Sequence, residues 1–209
     1  MKIDSTTPRS LSCSGLILMS CLGLTNAHEG PDHSHDAKSA PESAFVNEVV
    51  LTGSGTETYQ SVAGWCQMPE GVKALGNTHG GIVISRYGEV FFNTDTERSI
   101  MVYSAEGKFL RSFGADHVGI HDMCLNEENG QEFLYAAHLA GKKIVKFNLN
   151  GDVVWELEGP PALSNLYEAG DQHYRPTGVA VGPDGSVYVV DGYGLNYVHQ
   201  YDSDQRYVR

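Results

Sequence analysis

The feature that most constrains the fold of this chain is a repeat of four short apolar strands. Three stretches align with one another, at residues 79–114, 121–159 and 177–209. In each stretch a first strand and a turn lead to a second strand, and a third strand follows after a loop. Tyr103, Phe147 and Tyr201 occupy the same place in the third strands, at intervals of 44 and 54 residues, and the longer interval reflects the loop at 160–173.

Four antiparallel strands recurring every 42–44 residues are typical of β-propeller blades. A single blade leaves both of its faces uncovered, so blades must stack and close into a ring. We therefore predict an all-β fold, a β-propeller of four-stranded blades, in residues 45–209. About three to four blades are present, and closure favours a longer, six-bladed ring of which this segment is a part. The alternative is a β-sandwich, which has similar strand spacing.

The N-terminal region predicts export. Residues 1–27 read as a signal peptide, because two basic residues precede an uncharged stretch at 11–24 and a small-residue cleavage site at 25–27. A rival interpretation is a bacterial lipoprotein with a lipid anchor at Cys21. Residues 28–44 read as a disordered, histidine-containing linker. We expect a secreted or periplasmic protein without a membrane span.

The net charge limits the classes of binding partner, and the cysteine content limits the possible disulfides. The formal net charge of −12 argues against a nucleic-acid partner. Two cysteines, Cys66 and Cys124, lie outside the predicted signal. Export permits a disulfide between them, and two separate buried thiols are an equally open alternative.

Candidate functional residues follow from the repeat. His79, His121 and Thr177 begin the three aligned stretches, and the first strands of blades line the central channel. Two imidazoles from adjacent blades could bind zinc, or could line the channel without a metal. Tyr193, in the run Asp191-Gly192-Tyr193-Gly194, would lie at the channel mouth as a reactive phenol or as a packed hairpin corner. The other histidines read as loop or strand-face residues, and Glu128 as a solvated turn residue.

The blade pattern resembles the NHL repeat. The motifs RPTGVAV, VDGYG and GIHDMCLN resemble more closely the peptidyl-α-hydroxyglycine α-amidating lyases (peptidylamidoglycolate lyases), over about residues 70–209. The resemblance implies that Tyr193 corresponds to the catalytic tyrosine and His121 to a zinc ligand. It also implies that the backbone oxygen of Met123 binds a structural calcium.

The sequence departs from that family in two places. Asn93 stands where the family has a catalytic arginine, and a family disulfide is missing at both positions, Gly194 and the vicinity of Tyr174. The family's two other zinc histidines would lie in blades beyond Arg209. The first hypothesis is therefore a platform that binds a small-molecule or peptide ligand on the channel face.

The alternative is a zinc-dependent lyase that cleaves the C–N bond of a peptidyl-α-hydroxyglycine. A calcium-dependent, sugar-lactonase-like propeller is a third option, and no cluster of acidic channel residues supports it. Fold alone does not decide among these functions, because propellers host both binding and catalysis.

Overall fold

The computed structural model describes residues 50–161 and 173–209, and these ranges form antiparallel sheets. A hairpin comes first, with β1 (Leu51–Ser54) and β2 (Glu57–Gln60). Blade 1 follows, with β3 (Ile82–Ile84), β4 (Val90–Asn93), β5 (Ile100–Tyr103) and β6 (Phe109–Phe113). A short 3-10 helix (Ala115–His117) leads to blade 2, with β7 (Ile120–Glu128), β8 (Gln131–His138), β9 (Lys143–Asn148) and β10 (Val153–Glu158). Blade 3 has β11 (Gly178–Val181), β12 (Val187–Val190) and β13 (Val198–Tyr201).

The strand order confirms the predicted blades. In blades 1, 2 and 3 each strand pairs with the next strand in the chain, so every sheet is a simple antiparallel meander. A bridge between Tyr201 and Tyr207 and a bond from the Val208 N–H to the Gln200 carbonyl begin a fourth strand in blade 3. The hairpin β1–β2 is exposed and forms a separate sheet, so the described residues hold three blades. The signal peptide, the linker and Cys21 lie outside the described residues.

The first hydrophobic core lies between blades 1 and 2. Ile100 and Val102 of β5 face this core, whereas Met101 and Tyr103 of the same strand face the opposite side of the blade. All four residues are buried, and this explains why β5 reads as a continuous apolar run. The turn residue Gly151 (φ 100°) comes so close to Phe113 of blade 1 that a Cβ would clash with its ring.

The second core lies between blades 2 and 3, and the inner strands β3, β7 and β11 lie side by side. Each blade therefore covers one face of the next, as in a propeller. The outer faces of the end blades stay partly open. Ile82 and Ile84 are exposed on blade 1, and Val190 and Val198 are exposed on blade 3.

The two cysteines among the described residues are free thiols. Cys66 packs beside Tyr103 on the outer face of blade 1, whereas Cys124 packs in the core between blades 2 and 3. Burial raises the pKa of the Cys124 thiol to about 12. The disulfide alternative is therefore not realised in the structure.

Several histidines that read as loop or strand-face residues are buried. His117 and His138 lie between blades 1 and 2, and His199 lies in blade 3. They fill interblade space because imidazoles pack like aromatic rings, as the contact of His117 with the edge of Phe147 illustrates. Among the described residues there is no helix with the length and hydropathy to cross a membrane.

Candidate functional site

The candidate site lies where the inner strands of the three blades approach each other. A Cβ on Gly81 would contact Asn93, Asp122 and Met123, so blades 1 and 2 are close at this point. Asp122 in turn accepts a hydrogen bond of 3.4 Å from the N–H of Val179 in blade 3. The inner strands are thus in contact, and the residues at their N-terminal ends lie near one another.

His121 is held between blades 2 and 3. Its Nδ1 lies 2.9 Å from the carbonyl oxygen of Thr177. Because a carbonyl only accepts, Nδ1 carries the proton and Nε2 of the neutral ring carries the lone pair. That Nε2 lies 3.3 Å from the Tyr193 hydroxyl, which therefore donates to it.

His79 lies against His121 with its ring held by a carboxylate. Its Nε2 is 3.1 Å from both carboxylate oxygens of Asp95. The carboxylate accepts, so Nε2 carries the proton and Nδ1 of the neutral ring carries the lone pair. The rings of His79 and His121 stack at 5.1 Å with 24° between their planes. The two imidazoles thus adopt opposite tautomers side by side.

Tyr193 stands at the apex of a loop that buried Asp191 organises. The Asp191 carboxylate accepts hydrogen bonds from the N–H groups of Arg175 (2.6 Å) and Leu195 (2.8 Å). Gly192 lies against Thr177, and Gly194 against Asp191 and a backbone carbonyl, so neither position has room for a Cβ. The two glycines therefore let the loop close tightly.

The closed loop presents the phenol outward. Tyr193 is 59% exposed, and its ring meets the edge of His121 at 5.1 Å. We call His79, Asp95, His121 and Tyr193 the channel-face site. The structure brings together three residues that the repeat pattern singled out, from three different blades, and their roles stay predictions.

Two other residues singled out by sequence are not part of this site. Asn93, which stands in the place of the family arginine, is fully buried and donates to the Ile120 carbonyl. Its amide therefore holds two blades together instead of facing a ligand. Met123 lies on inner strand β7 with its side chain in the core between blades 1 and 2.

Sequence reasoning missed the partners of the site. Asp95 lies two residues after Asn93, beyond the end of β4, and its pairing with His79 depends on two loops. The carbonyl of Thr177 and the carboxylate of Asp191 act through backbone groups, which no residue pattern reveals. The one available signal was the Asp-Gly-Tyr-Gly run, since aspartate commonly organises loops by accepting from backbone N–H groups.

The arrangement has a partial fit to a metal. A metal-binding histidine commonly donates its other ring nitrogen to a carbonyl or a carboxylate, as both His121 and His79 do. A catalytic zinc usually takes three protein ligands. The described part of the chain holds no group of three or more histidine, cysteine, aspartate or glutamate residues arranged to hold a metal ion. The channel-face site therefore provides two imidazole ligands, one fewer than a catalytic zinc usually has.

Comparisons with known proteins find similar folds and no family. No protein-family model matches the sequence. The search of curated proteins likewise finds no match.

Among solved structures, virginiamycin B lyase from Staphylococcus aureus matches at 17% identity and a TM-score of 0.48, over 64% of this chain and 40% of that one. Hydrazine synthase from Kuenenia stuttgartiensis matches at 17% identity and a TM-score of 0.47, over 68% and 38%. A protein of unknown function from Bacteroides caccae matches at 16% identity and a TM-score of 0.46, over 61% and 46%.

The chain thus spans less than half the length of each of these three structures. At these identities and TM-scores the likenesses assign neither a family nor a function. The identification of β-propeller blades rests on the sheets described above.

Proposed function

We propose that this chain is part of an exported, six-bladed β-propeller that binds a small-molecule or peptide ligand at the channel-face site. The observation that carries the proposal is the convergence of His79, His121 and Tyr193 from three consecutive blades. Propeller ligands commonly bind where inner strands meet, because side chains from several blades can reach one molecule there.

The chemistry of the site suits a ligand that carries oxygen atoms. The Nδ1 of His79 and the Nε2 of His121 bear lone pairs, and the Tyr193 hydroxyl is both a donor and an acceptor. A ligand hydroxyl could replace the Tyr193–His121 hydrogen bond, because that bond is long at 3.3 Å. Asp95 keeps His79 oriented while the ligand binds.

Zinc is a candidate co-ligand of this site. His121 Nε2 and His79 Nδ1 would hold it, and a third ligand would come from outside the described residues. A bound zinc polarises a ligand oxygen and stabilises negative charge on it. Calcium remains a second proposal, at the backbone oxygen of Met123 that the family resemblance implies.

Zinc titration of the full chain tests whether the channel-face site binds a metal. We expect weak binding by isothermal titration calorimetry, because two imidazoles are fewer than the three of a usual catalytic site. His121→Ala should remove most of that binding, whereas Tyr193→Phe should keep it. Unchanged zinc binding in His121→Ala would contradict a metal at this site. The bound zinc would then be assigned to other histidines, such as those of residues 28–44.

A second candidate function is the lyase reaction, which the contact between His121 Nε2 and the Tyr193 hydroxyl favours. Tyr193 would first give up its own hydroxyl proton, and the resulting phenolate would accept the hydroxyl proton of a peptidyl-α-hydroxyglycine while the C–N bond breaks. The nitrogen takes up a proton, and the products are a peptide amide and glyoxylate. The buried Asn93 cannot supply the family's guanidinium, and this is the observation against the lyase.

The two candidates differ in turnover. Benzoyl-α-hydroxyglycine should bind in either case, and only a lyase should release benzamide from it in the presence of zinc. Tyr193→Phe should abolish that release and preserve zinc binding. Tyr188→Phe is the matched control, because Tyr188 belongs to the same blade and bonds Gln200 away from the site. If the unmodified chain releases no benzamide, the lyase function is contradicted and only the binding function remains.

A further inference from the structure

A cavity lies between blades 2 and 3, away from the channel-face site. Its volume is about 310 Å³, and its walls include Tyr135, Lys146 and Trp155 of blade 2 and the turns of blade 3 at Gly185 and Ser203. Glu128, at the C-terminal end of β7, completes the wall. His121 lies near the other end of the same strand, about 23 Å away along an extended chain. The cavity therefore belongs to the opposite side of the blades.

An ion pair between buried Lys146 and partly exposed Glu128 forms one wall of the cavity. The side chain of Lys146 is 7% exposed, and its Nζ lies 2.8 and 2.6 Å from the two carboxylate oxygens of Glu128. The same Nζ lies over the rings of Phe133 at 4.1 Å and Tyr135 at 5.2 Å. Tyr135 also donates its hydroxyl proton to Glu128. The pair is thus fixed in place by aromatic neighbours.

The repeat indicates that the fold does not need a charge at this position. Lys146 pairs with Tyr135 as Val102 pairs with Phe91 in blade 1 and as Gln200 pairs with Tyr188 in blade 3. The strand pairing at this position is therefore compatible with an apolar or a neutral polar side chain. Because burying the Lys146 ammonium costs desolvation energy that its attraction to Glu128 barely offsets, a charge at this position calls for another reason.

The neighbouring position in the fourth strand also differs between blades 1 and 2. Trp155 pairs with Lys146 as Arg111 pairs with Val102 in blade 1. Arg111 spans the interface between blades 1 and 2, bonding both oxygens of Glu89 and the carbonyl of Leu149. Trp155 makes no such bridge among the described contacts, and its half-buried ring borders the cavity. The blade 2–3 interface is thus left open where the blade 1–2 interface is closed by a side chain.

We propose that this cavity binds a neutral polyhydroxylated ligand of the size of one sugar unit. One apolar ring face of the sugar would lie on Trp155, and two neighbouring hydroxyls would bond the Glu128–Lys146 pair. A hydroxyl is both donor and acceptor, so one hydroxyl can donate to the carboxylate while its neighbour accepts from the ammonium. Ser203 and Gln205, from the turn after β13, supply further polar groups.

A charged ligand matches the cavity less well. A cation would compete with Lys146 for the carboxylate of Glu128, and an anion would compete with Glu128 for the ammonium. A cation would leave the buried ammonium of Lys146 without its partner, which is costly, and an anion would displace Glu128 from that ammonium. A neutral polyol adds hydrogen bonds to both members and breaks neither. A volume of about 310 Å³ lies at the small end of ligand pockets and suits a single ring.

The tryptophan content allows a direct test on the full chain. The protein has two tryptophans, so Trp65→Phe leaves Trp155 as the sole reporter at the cavity. Glucose, galactose, mannose and N-acetylglucosamine are titrated to millimolar concentrations, with acetate and tetramethylammonium as charged probes. We expect a saturable change in Trp155 emission with at least one sugar. Lys146→Gln, which introduces the residue type that blade 3 carries, should weaken that binding by about tenfold.

A second variant, which blocks the cavity, tests the proposal independently if Lys146→Gln fails to fold. Ser203→Phe changes an exposed turn residue and fills the cavity mouth, so it should abolish sugar binding while the circular dichroism spectrum stays unchanged. Three results would overturn the proposal: no saturable response to any sugar, tighter binding of a charged probe, or unaltered sugar affinity in Ser203→Phe.

Discussion

Replacing the buried aspartate of the tyrosine loop should cost both stability and site geometry. In Asp191→Ala, the N–H groups of Arg175 and Leu195 lose their acceptor. A hydrogen bond to a charged group contributes about 1.5–3 kcal/mol, so two such bonds give about 3–6 kcal/mol. Loop relaxation and water entry reduce that figure, and we expect the free energy of unfolding to fall by about 2–4 kcal/mol.

Urea denaturation at neutral pH, followed by circular dichroism, measures this loss. Tyr193→Phe is the matched control in the same loop, and it should change stability by less than about 0.5 kcal/mol, because Tyr193 lies largely in solvent. Asp184→Ala removes an exposed turn aspartate with bonds to Ser186, and it should cost less than Asp191→Ala. A loss below about 1 kcal/mol in Asp191→Ala would refute the claim that Asp191 holds the loop.

Three further predictions concern the blades themselves. Burial lowers the pKa of His138 and His199 below the usual 6.5, so the native state takes up fewer protons than the unfolded state. Stability should therefore be highest above about pH 6.5 and fall as the pH drops below it, and a flat urea midpoint between pH 7 and 5.5 would contradict this. Alkylation of the unfolded chain without reductant should label both Cys66 and Cys124, as measured by mass spectrometry. Two unlabelled cysteines joined in a disulfide would contradict this prediction. The open faces of blades 1 and 3 should make residues 45–209 oligomeric or poorly soluble when expressed alone, whereas light scattering from a monodisperse monomer would show that these faces are not adhesive.

The blades could be predicted from the sequence because their pattern is local. Tyr103, Phe147 and Tyr201 recur at one place in the third strand, and all three are buried as the repeat requires. The approach of His79 to His121 also follows from the repeat, since equivalent positions of adjacent blades face the same axis. These inferences need only the strand period and the blade spacing.

The remaining features depend on contacts between distant residues. A lysine in a strand normally predicts a solvent-facing position, yet Lys146 is buried because Glu128 and three aromatic rings surround it. Glu128 read as a solvated turn residue, and it is the last residue of β7. The orientation of His121 depends on a carbonyl 56 residues away in the chain, at Thr177, which side-chain patterns do not encode.

The central claim is that His79, His121 and Tyr193 form one site, and side-chain nitrogen NMR tests it most directly. Long-range ¹⁵N–¹H spectra report which ring nitrogen carries the proton. We predict the Nδ1-protonated tautomer for His121 and the Nε2-protonated tautomer for His79, because the Thr177 carbonyl and the Asp95 carboxylate can only accept. Tyr193→Phe should shift the His121 nitrogen signals and leave the tautomer unchanged. An Nε2-protonated His121, or His121 signals that do not respond to Tyr193→Phe, would contradict the account.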